Sequence, residues 1–317
     1  MANIFDFKES HIEEAQKLAI SSYDEERCFV SALPETKSIP DLTWFAENNK
    51  GITAFENGKM VGYLCAWGPF ENAFGCNPNT KGIWSPAHGN CAIGGNKVRV
   101  YREMYQSIAK KWVDDGALVH PITLYAHDKA AIEALFSYGF GLRCIDAVKL
   151  TEQREIKYPA DVLFEELPKG EAGRITELNN GLIEHLGKSP CFLKYCKKTP
   201  EMILNETMVG NIRYFIAKQN GEIISYLKAS DDGEHFSTKA QDMMNICGAY
   251  LPPEHRSRGI FDTLLYYTEN IFVTEGYKRL GVDFESFNPT AYGFWLKYFT
   301  AYTYSVVRRI DECALEV

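Results

Sequence analysis

Two halves of this chain carry the same order of patterns, which restricts it to folds that can be built twice over. Gly51-Ile52-Thr53-Ala54-Phe55-Glu56-Asn57-Gly58-Lys59-Met60-Val61-Gly62-Tyr63-Leu64 reads as two strands around an Asn-Gly turn of the hairpin type. Tyr214 to Leu227 repeats it, with Asn220-Gly221 standing 163 residues after Asn57-Gly58. A helical pattern from Val100 to Gly116 returns 160 residues on, from Ile260 to Gly276, and each ends at a glycine suited to a C-cap. A short apolar strand follows each helix, Ile122–Ala126 and Leu280–Phe284. Another helix and a last strand complete each half, the strands being Leu142–Val148 and Tyr302–Val307. This order predicts an α/β (α+β) sandwich in each half, a mixed sheet flanked by helices.

With 317 residues and 45% of them hydrophobic, the chain has material for two cores. The polar stretch Thr151–Pro159 separates the halves, which predicts domains at 1–150 and 161–317 with a linker at 151–160. Net charge is −8 and the 34 Lys and Arg are dispersed, so neither nucleic acid nor a membrane surface is an expected partner. No apolar run approaches the ~20 residues that span a bilayer, and the first residues have neither the basic nor the apolar region of a signal peptide. A cytoplasmic protein with reduced thiols is expected. The nine cysteines form no Cys-x-x-Cys and no cluster with metal spacing, so no metal is expected. Cys191 and Cys196, five apart, read as buried thiols rather than a redox pair.

The densest chemistry lies in the second half. The apolar strand Met243–Leu251 runs into Pro252-Pro253-Glu254-His255-Arg256-Ser257-Arg258-Gly259, and a helix begins at Ile260. The first N–H groups of a helix have no internal partner and its dipole favours an anion there. Gly259 lets backbone approach a phosphate, and Arg256 and Arg258 add charge. The same turn also fits a basic helix cap in solvent.

The spacing resembles the pyrophosphate loop of the GNAT acetyltransferase superfamily, Arg/Gln-x-x-Gly-x-Gly/Ala at a strand-to-helix turn. Arg256 and Gly259 match it, and Phe261 departs at the last small position. The element order of each half is also that of a GNAT domain, so the whole chain resembles a tandem GNAT protein. The resemblance implies acetyl-CoA as cofactor. The backbone of Cys247, Ala249 and Leu251 would pair with the pantetheine arm as an added strand. The N–H groups of Arg256, Ser257, Arg258, Gly259, Ile260, Phe261 and Asp262 would hold the pyrophosphate. Asn288-Pro289-Thr290-Ala291 resembles the family's second cofactor element, in which Asn288 bonds the pantetheine arm and Ala291 makes room. An Asn-Pro turn capping a helix gives the same letters.

Acetyl transfer to an amine needs a neutral amine, a donor to the oxyanion and, for the leaving thiolate, a proton. The family's usual acid is a tyrosine on the helix after Asn-x-x-Ala. Trp295 holds that register here, and an indole N–H is no acid at neutral pH. Tyr292 and Tyr298, one turn to either side, are the candidates to replace it or simply pack. Glu285, near the end of its strand, is the candidate base, with Asn245 to orient a water. Asp283 shares the strand face of Glu285 and reads equally as a solvated carboxylate. In the first half, Asn96 and Arg99 stand where Arg256 and Gly259 stand in the second. That degenerate turn implies a structural role, or one wall of a substrate cleft. His127 is the residue type most used as an acid or base, but its neighbour Asp128 reads as a helix cap.

The expected function is therefore acetyl-CoA-dependent N-acetyltransfer to a primary amine of a small molecule or peptide, by a monomer or homodimer. A non-catalytic acetyl-CoA-binding or scaffold protein is the alternative. A nucleotide binder of another class ranks last, since neither Gly-x-x-x-x-Gly-Lys-Ser/Thr nor Gly-x-Gly-x-x-Gly occurs.

Overall fold

The computed structural model describes residues 2–75 and 80–315. In chain order the elements are β1 (Asn3–Asp6), α1 (Ile12–Phe29), α2 (Thr43–Glu47), β2 (Gly51–Glu56), β3 (Lys59–Cys65), β4 (Trp67–Phe70), β5 (Lys81–Trp84) and β6 (Asn90–Ala92). There follow α3 (Lys97–Asp114), β7 (Ala117–Tyr125), α4 (Lys129–Phe136), β8 (Gly141–Leu150), β9 (Val162–Leu167), α5 (Thr176–Leu186) and α6 (Pro200–Val209). The chain ends with β10 (Ile212–Gln219), β11 (Glu222–Ser230), β12 (Met243–Tyr250), α7 (Ile260–Thr274), β13 (Arg279–Glu285), α8 (Pro289–Tyr298) and β14 (Thr300–Arg309), joined by short 3-10 turns.

Two compact units emerge, residues 1–146 with 301–317, and residues 147–300. The sequence placed the division at 150–161. Compactness sets it after Asp146, within β8, and assigns the final strand to the first unit. There β14 pairs antiparallel with β7, from Thr303 opposite Tyr125 to Arg309 opposite Val119.

In the first unit, β1, β2, β3 and β6 form an antiparallel sheet. Asn57 and Gly58 both take positive φ, 51° and 76°, as the tight hairpin turn requires. Val100, Met104, Ile108 and Trp112 recur every four residues along α3 and are buried with Ile122, Leu124 and Leu135. β7 is buried along its length and pairs on its other edge with β5, in parallel.

The second unit is an antiparallel run β9-β10-β11-β12 followed by β13, which lies parallel to β12. Alternation along β10 assigns its two faces. Tyr214 and Ile216 pack with Tyr226, Ile175 and Ile203, under α6. Phe215, between them, meets Phe272 of α7 edge-on at 5.3 Å. The repeated Asn220-Gly221 turn again has positive φ at both residues, 52° and 86°. Among the described residues no helix is long and apolar enough to cross a membrane.

Candidate cofactor and acyl-transfer site

The site grows from a strand that leaves its neighbour. Met243–Ile246 of β12 pair in parallel with Arg279–Val282 of β13, and the register ends there. β12 itself continues to Tyr250, paired with β11. The β11 register shifts between Lys228 and Ala229, so Cys247 is the extra residue of a bulge. Past Ile246 one backbone edge of β12 faces an opening rather than β13.

Pro252 and Pro253 end the strand, and the loop that follows is strongly turned. Ser257 has φ 61° and Gly259, the N-cap of α7, has φ 71°. Left-handed residues thus stand on either side of Arg258, and turns that place left-handed residues between others are where backbone N–H groups form anion-binding nests. A Cβ on Gly259 would touch nothing within 4 Å. Glycine is thus required there for its φ and not for lack of room.

A cavity of ≈ 170 Å³ lies against this opening. β12 and the residue after it supply Ala249, Tyr250 and Leu251, the loop Arg256, and α7 Phe261. Leu182 and His185 of α5 close one side, and Asn288, Thr290, Ala291, Phe294 and Trp295 of the α8 segment close another. Arg256 donates from Nε to the Leu251 carbonyl at 3.0 Å, which ties the loop to the strand end. Phe261, the departure from a small residue, stacks edge-on with Phe294 at 5.0 Å and Trp295 at 5.9 Å. Bulk at that position is absorbed by the aromatic face of α8.

The other expected cofactor residues divide by position. Ile260 is buried and anchors α7, and Ser257 and Arg258 are exposed. Arg258 reaches Asp161 at 3.2 Å, so its charge is partly occupied. Cys247 is exposed at the bulge. Asp262 accepts hydrogen bonds from Tyr298 and from Lys297. Asn288 is 6% exposed and does not use its side chain to cap α8. Its Oδ1 accepts from Thr290 Oγ1 at 2.8 Å and from His185 Nε2 at 3.3 Å.

The four residues expected to act in catalysis do not meet in the cavity. Asn245 is buried, with Nδ2 donating to the Thr238 carbonyl at 2.9 Å and Oδ1 filling the space left by Gly281; it is a packing residue. The Tyr298 hydroxyl is held by Asp262, and burial, then that carboxylate, push its ionisation well above the usual phenol range. It is a weaker acid than an ordinary tyrosine. Tyr292 is 45% exposed and meets Phe284 edge-on at 6.5 Å. Glu285 ends β13 half-buried, near Cys191, whose thiol is raised by burial and by the Glu285 charge. None of the four lines the cavity. His185 does, and the sequence reading passed over it. Its one local signal is Gly181 a turn earlier, where a Cβ would come within 2.8 Å of the Tyr250 ring. That spacing marks the α5 face pressed against the end of β12.

The first unit treats the same point of the fold differently. β5 runs parallel to β7, Ser85 bridges to Ile122, and after an interruption β6 pairs with β3 instead. The resulting gap is crossed by Asn90, 5% exposed, whose Nδ2 lies 3.0 Å from the Thr123 and Pro86 carbonyls and 3.2 Å from Ser85 Oγ. Arg99 turns to Glu56 and Glu103. Asp128 caps α4, accepting from the Ala131 N–H at 3.0 Å, as expected. His127 stacks on Phe29 at 4.4 Å and bonds Glu26 at 2.8 Å.

Residues 184–299 match the model of the acetyltransferase (GNAT) family. The match is confined to the second unit, where it spans β12, the loop, α7 and α8. Across 97% of this chain and 95% of the other, its fold is similar to that of a GCN5-related N-acetyltransferase from Sphaerobacter thermophilus, with a TM-score of 0.59 at 11% identity. A glucosamine N-acetyltransferase region of a fungal multi-domain β-N-acetylglucosaminidase aligns over 97% of this chain and 38% of that one, at TM-score 0.52 and 12% identity. A tandem GNAT protein from the clavulanic acid biosynthesis pathway aligns over 97% of both chains, at TM-score 0.46 and 12% identity. No curated protein matches the sequence. At these identities the structural likenesses establish the GNAT fold and no substrate.

Proposed function

We propose that the chain is an acetyl-CoA-dependent N-acetyltransferase whose cofactor site lies in the second unit. The observation that carries this reading is the opening past Ile246. A strand edge free of β13, a loop of left-handed residues and a cavity against both lie in one unit, within the segment matching the family model. The pantetheine amides would pair with Cys247, Ala249 and Leu251, and the pyrophosphate would lie on the N–H groups from Arg256 to Asp262. Asn288 and Ala291 would flank the arm, and Trp295 would pack against the thioester end. Bound acetyl-CoA supplies an activated acyl group; this chain's own residues align it and exclude water. The acceptor is a primary amine.

A second reading has its own support. The Tyr298 hydroxyl is bound to Asp262 and Trp295 cannot release a proton, so no side chain at the helix register serves the leaving thiolate. A protein that binds acetyl-CoA without turnover fits that observation.

Calorimetric titration with acetyl-CoA, followed by mass spectrometry of an amine panel, tests both. One site per chain and an acetylated product are expected. One site and no product supports the binding protein. Absence of binding overturns both readings, and two sites refute the assignment to one unit.

A further inference from the structure

We infer that His185 is the general base that takes the proton from the acceptor amine; this rests on the acetyltransferase reading above. His185 lies in the last turn of α5 and lines the cavity. Asn288 Oδ1 can only accept, and it already accepts from Thr290. His185 Nε2, 3.3 Å away, is the donor in that bond, with Thr290 Oγ1 at 3.4 Å from the same nitrogen. The neutral ring then has its lone pair on Nδ1. The Tyr250 ring lies 6.5 Å from it, centroid to centroid. The bond to Asn288 thus leaves Nδ1 as the basic nitrogen, as a positioned base requires.

The cavity offers no competitor. Among the described residues its lining contains no carboxylate, and its one charged side chain is Arg256, whose Nε is engaged with Leu251. The titratable groups around His185 are Tyr250 of β12, Arg256 of the loop, and Glu184 and Lys188 beside it in the chain. α8 presents the neutral Asn288 and Thr290. In the step assigned, Nδ1 takes a proton from the bound ammonium, and the nitrogen so freed attacks the thioester carbonyl and loses its second proton to water. The C–N bond forms, the C–S bond breaks, and CoA leaves as thiolate. The proton held on His185 then passes to the thiolate or to water, which restores the neutral ring.

The test uses the full chain, acetyl-CoA and two acceptors, spermidine, which is protonated at neutral pH, and hydroxylamine, which is not. His185→Gln is expected to lower kcat on spermidine about 100-fold, the lower end of general-base effects. It should leave kcat on hydroxylamine within about threefold. His185→Asn should behave alike and covers any folding defect of the first variant. Equal losses on both acceptors mean a structural role and overturn the inference, as does an unchanged rate on spermidine. A wild-type protein that binds acetyl-CoA but acetylates neither acceptor overturns it together with the enzyme reading. A wild type that turns over with an indifferent His185→Gln removes the base alone.

Discussion

Alanine and glutamate at Gly259 separate the conformational role of this residue from its role toward an anion. The backbone there has φ 71° and ψ 4°, left-handed, where a side chain costs roughly 1–2 kcal/mol. A Cβ would meet nothing within 4 Å, so no packing term is added. Both substitutions are therefore expected to destabilise the protein by that same ~1–2 kcal/mol, measured by urea unfolding. Toward acetyl-CoA they must differ. A carboxylate at 259 would stand beside the proposed pyrophosphate. Two unit charges about 5 Å apart repel by about 1–3 kcal/mol, between bulk-water and surface screening. Gly259→Glu should thus bind acetyl-CoA about tenfold to hundredfold more weakly than Gly259→Ala, with the gap narrowing as salt is raised. Calorimetry on the two variants at two salt concentrations reads the difference directly. Equal affinities in variants of equal stability would show that no phosphate lies near this N-terminus, and the cofactor site would have to be sought elsewhere.

Other expectations follow from hydrogen bonds already described. Tyr298→Phe should change kcat by no more than about twofold while costing ~1 kcal/mol of stability, because its hydroxyl serves Asp262 and not the cavity; a loss of turnover on the scale of general-acid catalysis, ~100-fold, would reinstate it as the acid. Asn90→Ala should cost about 2 kcal/mol in thermal or urea unfolding, since it strips the carbonyls of Pro86 and Thr123 of a buried donor; a neutral effect would mean water replaces it. His120 is fully buried, bonded to Tyr105 and to the Ala117 carbonyl, and burial lowers its pKa from 6.5 to about 4. The unfolded state therefore binds the extra proton first. Stability is retained above pH 6.5 and lost as pH falls toward about 4, by up to ~3 kcal/mol. His120→Gln should flatten that part of the stability–pH curve, and an unchanged curve would show that folding leaves the proton affinity of His120 as it is in the unfolded chain.

The strand, loop and helix start that carry the proposed cofactor site were legible because their signals are local. An apolar run, two prolines and a glycine before an apolar periodic helix specify β12, the loop and α7 within a few residues of one another. The two Asn-Gly turns are legible for the same reason. What could not be read depends on contacts far apart in sequence. β14 follows α8 directly, yet it lies between β7 and β8, and β7 is some 180 residues earlier by the Thr303–Tyr125 pair; nothing in the strand's own letters selects that edge. His185 meets Asn288 across 103 residues, and an isolated histidine in a half-buried helix looks like any other. Tyr298 stood one turn from the expected register, but spacing along a helix does not say that its hydroxyl will be claimed by Asp262 first. The broken strand β5–β6 was hidden because Pro86 and Gly89 read as a plain loop.

The asymmetry between the halves follows from a few side chains at one point of a shared fold. In each unit a strand must leave its parallel neighbour, and the backbone groups so freed need partners. The first unit supplies them from within: Asn90 bridges to Thr123, and the Tyr101 hydroxyl reaches Asn90 Oδ1 at 3.4 Å. Both side chains are buried, so the gap is filled by the protein itself. The second unit has Cys247, Gly248 and Ala249 at its parting, side chains too short to cross, and Phe261, in the place of Tyr101, turns toward α8. There the freed edge stays open. If a ligand binds this chain by adding a strand, its peptide-like groups are needed in the second unit and already replaced in the first. A single substitution does not convert one into the other, because clearing Asn90 would strand the carbonyls it serves while leaving Arg99 paired to Glu56 at the helix start.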